Sequence, residues 1–442
     1  MTQHAVIVGA GLAGSLLACH LARAGWKVDV YEGRPDPRNA GFIGGRSINL
    51  ALSTRGIDAL NQVGLAERVL KDAVAMPGRM LHDKEGRQTF QPYSGKQNNF
   101  INSVSRGGLN ITLLKAADDY DSVTLHFERS CTGIDLKQGI ATMRDLKNQT
   151  STTPECDLLI GADGAFSKVR ESMATQAGFS HSISYIDHGY KELTIPAAAD
   201  GSHVLDPEAL HIWPHGESMM IALANQDGSF TCTLFWPWNG PISFNAIKRP
   251  EDVKPLFEAH FKDAVPLMPD LVELYMKNPT SSLQTIRCGP WHFGDKVVLI
   301  GDSAHAIVPF FGQGMNAAFE DCTVLTRHLS ASDSVAQAIA GFYAEQKPNA
   351  EAIADLALSN FIEMRDTVRS PIFNAKKKIE RFLTQISRGR YKSLYEMVSF
   401  TTIPYAKVCQ RARRRQRILL AALFTLTAVL IICGLLAIGS TF

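Results

Sequence analysis

Apolar residues open the chain in a tight block, Ala5-Val6-Ile7-Val8, the pattern of a short strand buried on both faces. The period then changes. Leu16, Leu17, Leu21 and Ala24 recur at helical spacing up to Gly25, and Lys27 to Tyr31 returns to a strand. Further along, Arg46 to Leu52 predicts a strand, Ser53 an N-cap, and Thr54 to Val63 a helix closed by Gly64. Phe90 to Tyr93 reads as strand-like or irregular, Leu109 to Ala117 as a helix preceded by Arg106, and Val123 to Phe127 as a strand. Cys156 to Gly164 reads as a buried strand running into a turn, and Lys296 to Asp302 repeats that pattern. Between about Phe179 and Ile286 short apolar or alternating runs take over, at Leu193 to Pro196, Leu210 to Trp213, Met219 to Ala224 and Phe230 to Trp236, and predict an antiparallel sheet. Ala331 to Val408 reads as helical throughout.

The junction between the first strand and the first helix carries the first chemistry. Gly9, Gly11 and Gly14 form G-x-G-x-x-G, and Glu32 stands at the end of the second strand. Gly9 permits the tight turn, Gly11 leaves room for backbone to approach a pyrophosphate, and Gly14 lets helix and strand pack closely. The helix start faces the phosphates, and Glu32 is suited to a ribose 2′-hydroxyl rather than a 2′-phosphate. Three glycines alone are weak evidence; strand, glycines, helix, strand and acid in register are strong. The tightly held nucleotide is therefore expected to be FAD or NAD. Asp163-Gly164 and Gly301-Asp302 also follow buried strands, where ligands of an open α/β sheet bind. Asp302 is suited to accept hydrogen bonds from sugar or ribityl hydroxyls. Gly312-Gln313-Gly314-Met315-Asn316 then opens a helix whose first amides and positive dipole end suit an anion or an electron-rich ring.

These patterns predict an α/β protein with a Rossmann-type dinucleotide-binding domain, an inserted antiparallel-sheet substrate domain, C-terminal helices and one transmembrane helix. The expected divisions are 1–75, 101–178 and 287–330 for the nucleotide domain, 76–100 and 179–286 for the substrate domain, 331–410 for the helical region and 418–438 for a tail anchor. Ile418 to Ile438 carries no charge and is long enough to cross a bilayer, which takes ~20 apolar residues. Arg411, Arg413, Arg414, Arg415 and Arg417 precede it and are expected to stay cytosolic, so the body of the chain would face the cytosol.

Composition changes little. The 442 residues carry a net charge of +2, which implies no polyanionic partner, and the arginine run is better explained by the adjacent apolar stretch than by nucleic acid. The 8 cysteines include no C-x-x-C pair, and the fold starts too soon after Met1 for a cleavable signal, so thiols in a reducing compartment are expected. His211 and His215 flank Pro214 on a strand-like segment and suit a structural role; no metal site is expected.

The N-terminal dinucleotide motif, the central D-G and the later G-D together resemble the p-hydroxybenzoate hydroxylase-like family of flavoprotein aromatic hydroxylases. Further stretches are similar to the branch of that family that hydroxylates L-kynurenine. They are Gly45 to Ser53, His211 to Pro214, Phe230 to Phe235, His305 to Asn316 and Asn360 to Arg365, and the likeness runs to about Tyr405. The resemblance implies FAD contacts at Gly9, Gly11, Leu12, Ala13, Gly14, Tyr31, Glu32, Gly33, Arg34, Ala51, Arg106, Cys131, Asp163, Asp302, Gly314, Met315 and Asn316. It implies that Arg79 and Tyr93 hold the substrate carboxylate, that Asn360 and Tyr395 complete that pocket, and that Phe235, Phe311 and Met364 line the ring site. Some bacterial relatives have histidine where this chain has Phe311. The implied reaction consumes NADPH and O2 and forms 3-hydroxy-L-kynurenine through a C4a-hydroperoxyflavin, in tryptophan catabolism toward quinolinate and NAD. The flavin then does the chemistry and no side chain is a catalytic acid or base.

The residues themselves agree with such a substrate. A carboxylate calls for a planar two-pronged donor, and Arg79 sits in the apolar setting Met76-Pro77-Gly78-Arg79-Met80. No second dinucleotide motif follows a strand, since Gly41-x-x-Gly44-Gly45 lacks one, so NADPH is expected to visit transiently. Two other readings stay open at this point. One is a membrane-anchored flavin epoxidase or reductase acting on a lipid, whose pocket would lack a carboxylate clamp. The other is a tail-anchored FAD-bound scaffold without turnover, which substrate-stimulated NADPH oxidation would exclude.

Overall fold

A computed structural model of the chain describes residues 2–40, 49–94, 99–362, 392–418 and 421. The opening apolar block forms the strand His4–Val8 at the centre of a six-stranded sheet. Its neighbours are Lys27–Glu32 and Leu158–Gly161, both parallel to it. Val123–Phe127 extends one side and Val297–Leu299 the other, with His292–Phe293 antiparallel at the edge. Ala5, Val6 and Ile7 have no exposed surface, as a strand covered on both faces requires. The helix Leu12–Arg23 buries Leu16, Leu17 and Leu21 against this sheet and the helix Gly314–Ala331.

A second sheet of seven strands runs in the order Thr280–Gly289, Ser180–Ile195, Phe230–Pro237, Ser218–Ala224, Ala209–His215, Gly78–His82 and Gln88–Pro92. The apolar runs of residues 193–236 therefore do form antiparallel strands. Gly78–His82 joins them in parallel to Ala209–His215, and Gln88–Pro92 closes the edge. One face of this sheet holds a separate aromatic core in which Trp236, Phe257 and Phe261 are sealed from solvent. A small antiparallel sheet of Asn49–Leu52, Ile101–Ser105 and Val74–Met76 stands beside the two large ones.

Several elements differ from the sequence expectation. Ser53 occupies the N-cap position of Thr54–Gln62 but makes no side-chain cap bond. Its hydroxyl donates to Gln313 Oε1 at 3.4 Å instead, and its N–H donates to Asn316 Oδ1 at 2.9 Å. The helix expected at Leu109 begins earlier, at Arg106, because Ser105 Oγ accepts from Gly108 N at 3.2 Å. The uniform helix expected from Ala331 to Val408 is interrupted. Residues 332–334, a Ser-Asp-Ser turn, separate Gly314–Ala331 from Val335–Ile362, and 400–404 separates Leu394–Ser399 from the helix over 405–418. Among the described residues no helix is long and apolar enough to cross a membrane. The stretch 418–438 lies outside the described residues apart from Ile418 and Ala421, as do Met364, residues 45–48 and the glycines 41, 44 and 45.

Candidate active site

The first strand delivers the chain into a turn that leaves two things open. Gly9 adopts φ +105°, a conformation that costs glycine nothing, and a Cβ at Gly14 would lie 2.0 Å from Gly9 O. A Cβ at Gly11 would meet nothing within 4 Å. Gly11 is the N-cap of Leu12–Arg23 and no side chain caps that helix, so its first amides have no intrahelical acceptor. That is a cradle suited to a phosphate group. Asn110 steadies it from the helix Arg106–Asp118, donating Nδ2 to Ala10 O at 3.0 Å. Arg106 itself is exposed at the start of that helix.

Glu32 closes the turn from the neighbouring strand. Its Oε2 accepts from Ala10 N at 3.0 Å and from Arg34 Nη2 at 3.1 Å, while Oε1 accepts from Arg34 N at 2.9 Å and Arg34 Nε at 2.8 Å. Burial opposes its ionisation, but the Arg34 bonds hold its carboxyl below the usual range. Gly33 lies against Ser130, next to the buried Cys131, whose thiol burial pushes up to about 11. Tyr31 stacks on His126, with ring centroids 4.4 Å apart.

The D-G and G-D turns meet through a residue that the motifs did not flag. Ser303 Oγ donates to Asp163 Oδ1 at 3.1 Å and accepts from Gly164 N at 2.8 Å. Asp163 Oδ2 also accepts from Lys168 N at 2.7 Å, so this carboxylate orders the turn. Asp302, by contrast, is exposed. A Cβ at Gly301 would lie 3.3 Å from Ala13 Cβ, so the G-D turn packs against the first helix. Behind it His305 Nε2 meets Asp321 Oδ2 at 2.6 Å; burial disfavours the imidazolium, but the Asp321 carboxylate outweighs that and raises the His305 pKa.

The helix Gly314–Ala331 also starts without a side-chain cap. Asn316 has no exposed surface and its side chain faces protein, donating to Ala51 O at 2.8 Å and Gly312 O at 3.0 Å. Its amide N–H, with those of Gly314 and Met315, belongs to the open first turn. Ala51 packs in turn against a cluster holding Tyr93, with Tyr395 at its edge, which links this region to the expected substrate residues.

Those residues converge. Arg79 projects from the strand Gly78–His82 with its guanidinium carbon 4.7 Å from the Tyr395 ring centroid and 5.3 Å from that of Tyr93. The two tyrosine rings stack 5.2 Å apart. No carboxylate pairs with Arg79 among the described residues; the hydroxyls of Tyr93 and Tyr395 are the polar groups beside its guanidinium, and its Nε is buried with no hydrogen-bond partner among the described residues. Phe311 stacks on Tyr395 at 5.6 Å, and Phe235 lies 5.1 Å from Phe310. Asn360 is placed beside them by the end of Val335–Ile362, where its Nδ2 donates to Phe310 O at 2.7 Å. Sequence reasoning placed Gln313 in the helix-opening motif without a role for its side chain and missed Tyr405; the two join by a 2.8 Å bond in which the Tyr405 hydroxyl donates to Gln313 Oε1. Neither stands in a motif that signals the other.

The arrangement is an uncapped phosphate cradle, a second uncapped helix start and, adjoining it, an aromatic cluster around Arg79, which has no carboxylate partner among the described residues. The comparisons with known proteins agree with it. Residues 2–356 match the family model of the FAD binding domain. The chain is 45% identical over 399 residues to kynurenine 3-monooxygenase of Myxococcus xanthus, covering 90% of this chain and 86% of the relative. It is 45% identical over 426 residues to kynurenine 3-monooxygenase of Dictyostelium discoideum, covering 93% and 91%. Among solved structures, 2-methyl-3-hydroxypyridine-5-carboxylic acid oxygenase shares the fold with a TM-score of 0.69 at 21% identity, over 84% of this chain and 94% of that one. The chain belongs to the kynurenine 3-monooxygenase family of FAD-dependent aromatic hydroxylases.

Proposed function

We infer that this protein is an NADPH- and O2-consuming flavoprotein monooxygenase that hydroxylates L-kynurenine to 3-hydroxy-L-kynurenine. The observation that carries the substrate is Arg79: an arginine set beside two stacked tyrosine rings, with a buried Nε and no carboxylate partner among the described residues. Leaving a desolvated charge unpaired is costly, and an α-amino acid carboxylate supplies the missing anion. Neither a lipid-directed pocket nor a scaffold without turnover calls for such a group.

Bound FAD supplies the oxygen-activating redox chemistry. The chain's residues hold and orient. The uncapped amides of Leu12, Ala13 and Gly14 take the pyrophosphate, with Gly9 permitting the turn and Gly11 giving it room. Glu32, Gly33, Arg34, Tyr31 and Cys131 border the adenosine side, and Asp302, Arg106 and Ala51 border the ribityl side. Asp163 acts by ordering the adjoining turn. The amides of Gly314, Met315 and Asn316 offer N–H groups to negative charge on the flavin ring. Arg79 and Tyr93 grip the substrate carboxylate, Asn360 and Tyr395 complete that end, and Phe235, Phe311 and Met364 exclude water around the aniline ring.

The residues 76–100 and 179–286 serve in this reading as a substrate domain inserted into a nucleotide domain. The uncharged stretch 418–438 behind its arginine flank serves as a membrane anchor, with the enzyme body on the cytosolic side. The test of the function is direct. Purified protein given NADPH and L-kynurenine in air should yield a product heavier by about one oxygen atom, and NADPH oxidation should accelerate when the substrate is added. No such product, with FAD bound, would remove the assignment.

A further inference from the structure

Gln313 immediately precedes the uncapped helix Gly314–Ala331 and is 1% exposed. Its side chain does not cap that helix. Its Oε1 accepts from the Tyr405 hydroxyl at 2.8 Å and from Ser53 Oγ at 3.4 Å. Its Nε2 is buried and has no hydrogen-bond partner among the described residues. The orientation of an amide is assigned from its network, and here the network decides it. The Tyr405 proton has no other acceptor among the described residues, so the oxygen must face Tyr405 and the NH2 must face away.

Tyr405 is itself clamped. Its ring lies 3.8 Å from the guanidinium carbon of Arg55, a fully buried side chain. Arg55 donates Nη1 to Glu320 Oε1 at 2.7 Å and Nη2 to the Ile403 carbonyl. Ala406 N donates to Asn349 Oδ1 at 3.1 Å. Burial drives the Tyr405 pKa upward, so its hydroxyl is a donor at every pH the enzyme meets. The segment 401–418 is thus fastened at three points, and one of them ends on the turn that opens Gly314–Ala331.

We propose that Tyr405 is a positioning residue for the flavin: it fixes Gln313 so that the free Gln313 NH2 donates to a carbonyl of the flavin ring. The carboxy-terminal segment thereby tunes a cofactor it does not touch. A buried NH2 with no partner among the described residues calls for an acceptor, and the ring carbonyls are acceptors of that kind. The proposal rests on the reading that the flavin ring lies at the turn 312–316.

The test is a double-mutant cycle in the full-length holoenzyme with Tyr405→Phe, Gln313→Leu and the pair. Flavin visible spectrum, midpoint potential, FAD release rate and product formed per NADPH consumed are measured. Tyr405→Phe keeps the Arg55 stack and should retain one FAD per chain. Its spectrum and potential should shift, and FAD release should quicken by roughly 2- to 10-fold, the range of one neutral hydrogen bond. Product per NADPH should fall while the KM for kynurenine holds, because Arg79 is untouched. The double variant should match Gln313→Leu alone, since Tyr405 acts only through Gln313. A wild-type spectrum and potential in Tyr405→Phe, or additive effects in the pair, would overturn the proposal. Gly314→Val, assayed alongside, keeps the two readings apart: unchanged FAD occupancy there would show that the flavin is placed wrongly, whatever Tyr405 does.

Discussion

The Arg79 guanidinium faces the Tyr395 ring at 4.7 Å, although the two residues come from opposite ends of the chain. The strand Gly78–His82 supplies the cation and the helix Leu394–Ser399 supplies the ring. Ser393 and Glu396 form a reciprocal capping box on that helix, so the tyrosine sits on its first, firmly held turn. Cation and ring attract each other without neutralising the charge. The arginine is oriented and still able to take an anion.

Arg79→Ala should therefore raise the apparent constant for kynurenine by roughly ten- to a hundredfold, the equivalent of a charge-assisted pair of ~1.5–3 kcal/mol. FAD content should not change. Arg79→Lys should recover little, because an ammonium cannot reproduce the planar fork. Steady-state kinetics with kynurenine and with an analogue lacking the carboxylate decide the matter. If the alanine variant keeps the wild-type preference for kynurenine, the anion is held elsewhere.

Gly11 and Gly14 should fail in different ways. A methyl at Gly14 would sit 2.0 Å from Gly9 O, against backbone that cannot move aside. Gly14→Ala should lower the stability of the folded protein itself by at least the ~1–3 kcal/mol typical of overpacking. A methyl at Gly11 meets nothing within 4 Å, and its φ of −72° suits any residue. Gly11→Ala should fold normally and bind FAD at least about tenfold more weakly, as a group that blocks backbone approach to phosphate would. Melting temperature without added FAD and a flavin titration separate the two. Equal effects of both variants on FAD-free stability would contradict this division of labour.

How much of this was legible in the sequence depends on range. The strand His4–Val8, its helix and Val123–Phe127 follow from local periodicity, which needs no knowledge of the rest of the chain. The start of Arg106–Asp118 was not, because Gly107 and Gly108 argue against a helix on propensity while Ser105 and the tertiary contact of Asn110 override them. Ser53 has the right type and place for a cap, but its hydroxyl turns away to Gln313 Oε1 at 3.4 Å. Contacts such as Ser303 with Asp163 or Tyr405 with Gln313 join segments whose proximity no local pattern encodes. The convergence of Arg79, Tyr93 and Tyr395 came from family likeness, not from spacing.

Two buried histidines make stability depend on pH. Burial lowers the pKa of His20 and of His211 from 6.5 to about 4, against a backbone bond from each that works the other way, to Ala59 O and to Asp206 O. Both are neutral in the fold and take up a proton only on unfolding. Their contribution is therefore complete above pH 6.5 and is lost as the pH falls toward about 4. Each should add a slope of up to about 1.4 kcal/mol per pH unit in that window. His20→Gln preserves a donor for Ala59 O and does not titrate. Urea midpoints at saturating FAD, followed across the window, should fall less steeply in that variant than in the wild type. An identical slope would mean that His20 is not held neutral.

The last prediction concerns the end of the chain. The helix over 405–418 is docked by Tyr405 and Val408, both buried in the same core cluster as Phe311. Its far end turns basic, with Arg411, Arg413, Arg414 and Arg417 on the outside or at the margin, while Arg415 donates to Lys392 O at 2.6 Å. The docked part and the proposed anchor, the uncharged stretch 418–438, can be separated by truncation. Truncation after Arg417 removes the stretch and leaves every contact of Tyr405 and Arg55 in place. The truncated protein should move to the soluble fraction, while the full-length protein should need detergent. Its flavin spectrum should equal that of the full-length holoenzyme, because the fastening to Gln313 survives. Truncation before Tyr405 should instead alter the spectrum as well as the fractionation. A full-length protein found wholly in the soluble fraction without detergent would contradict the anchor, and a changed spectrum on truncation after Arg417 would show that the stretch also helps to hold the helix.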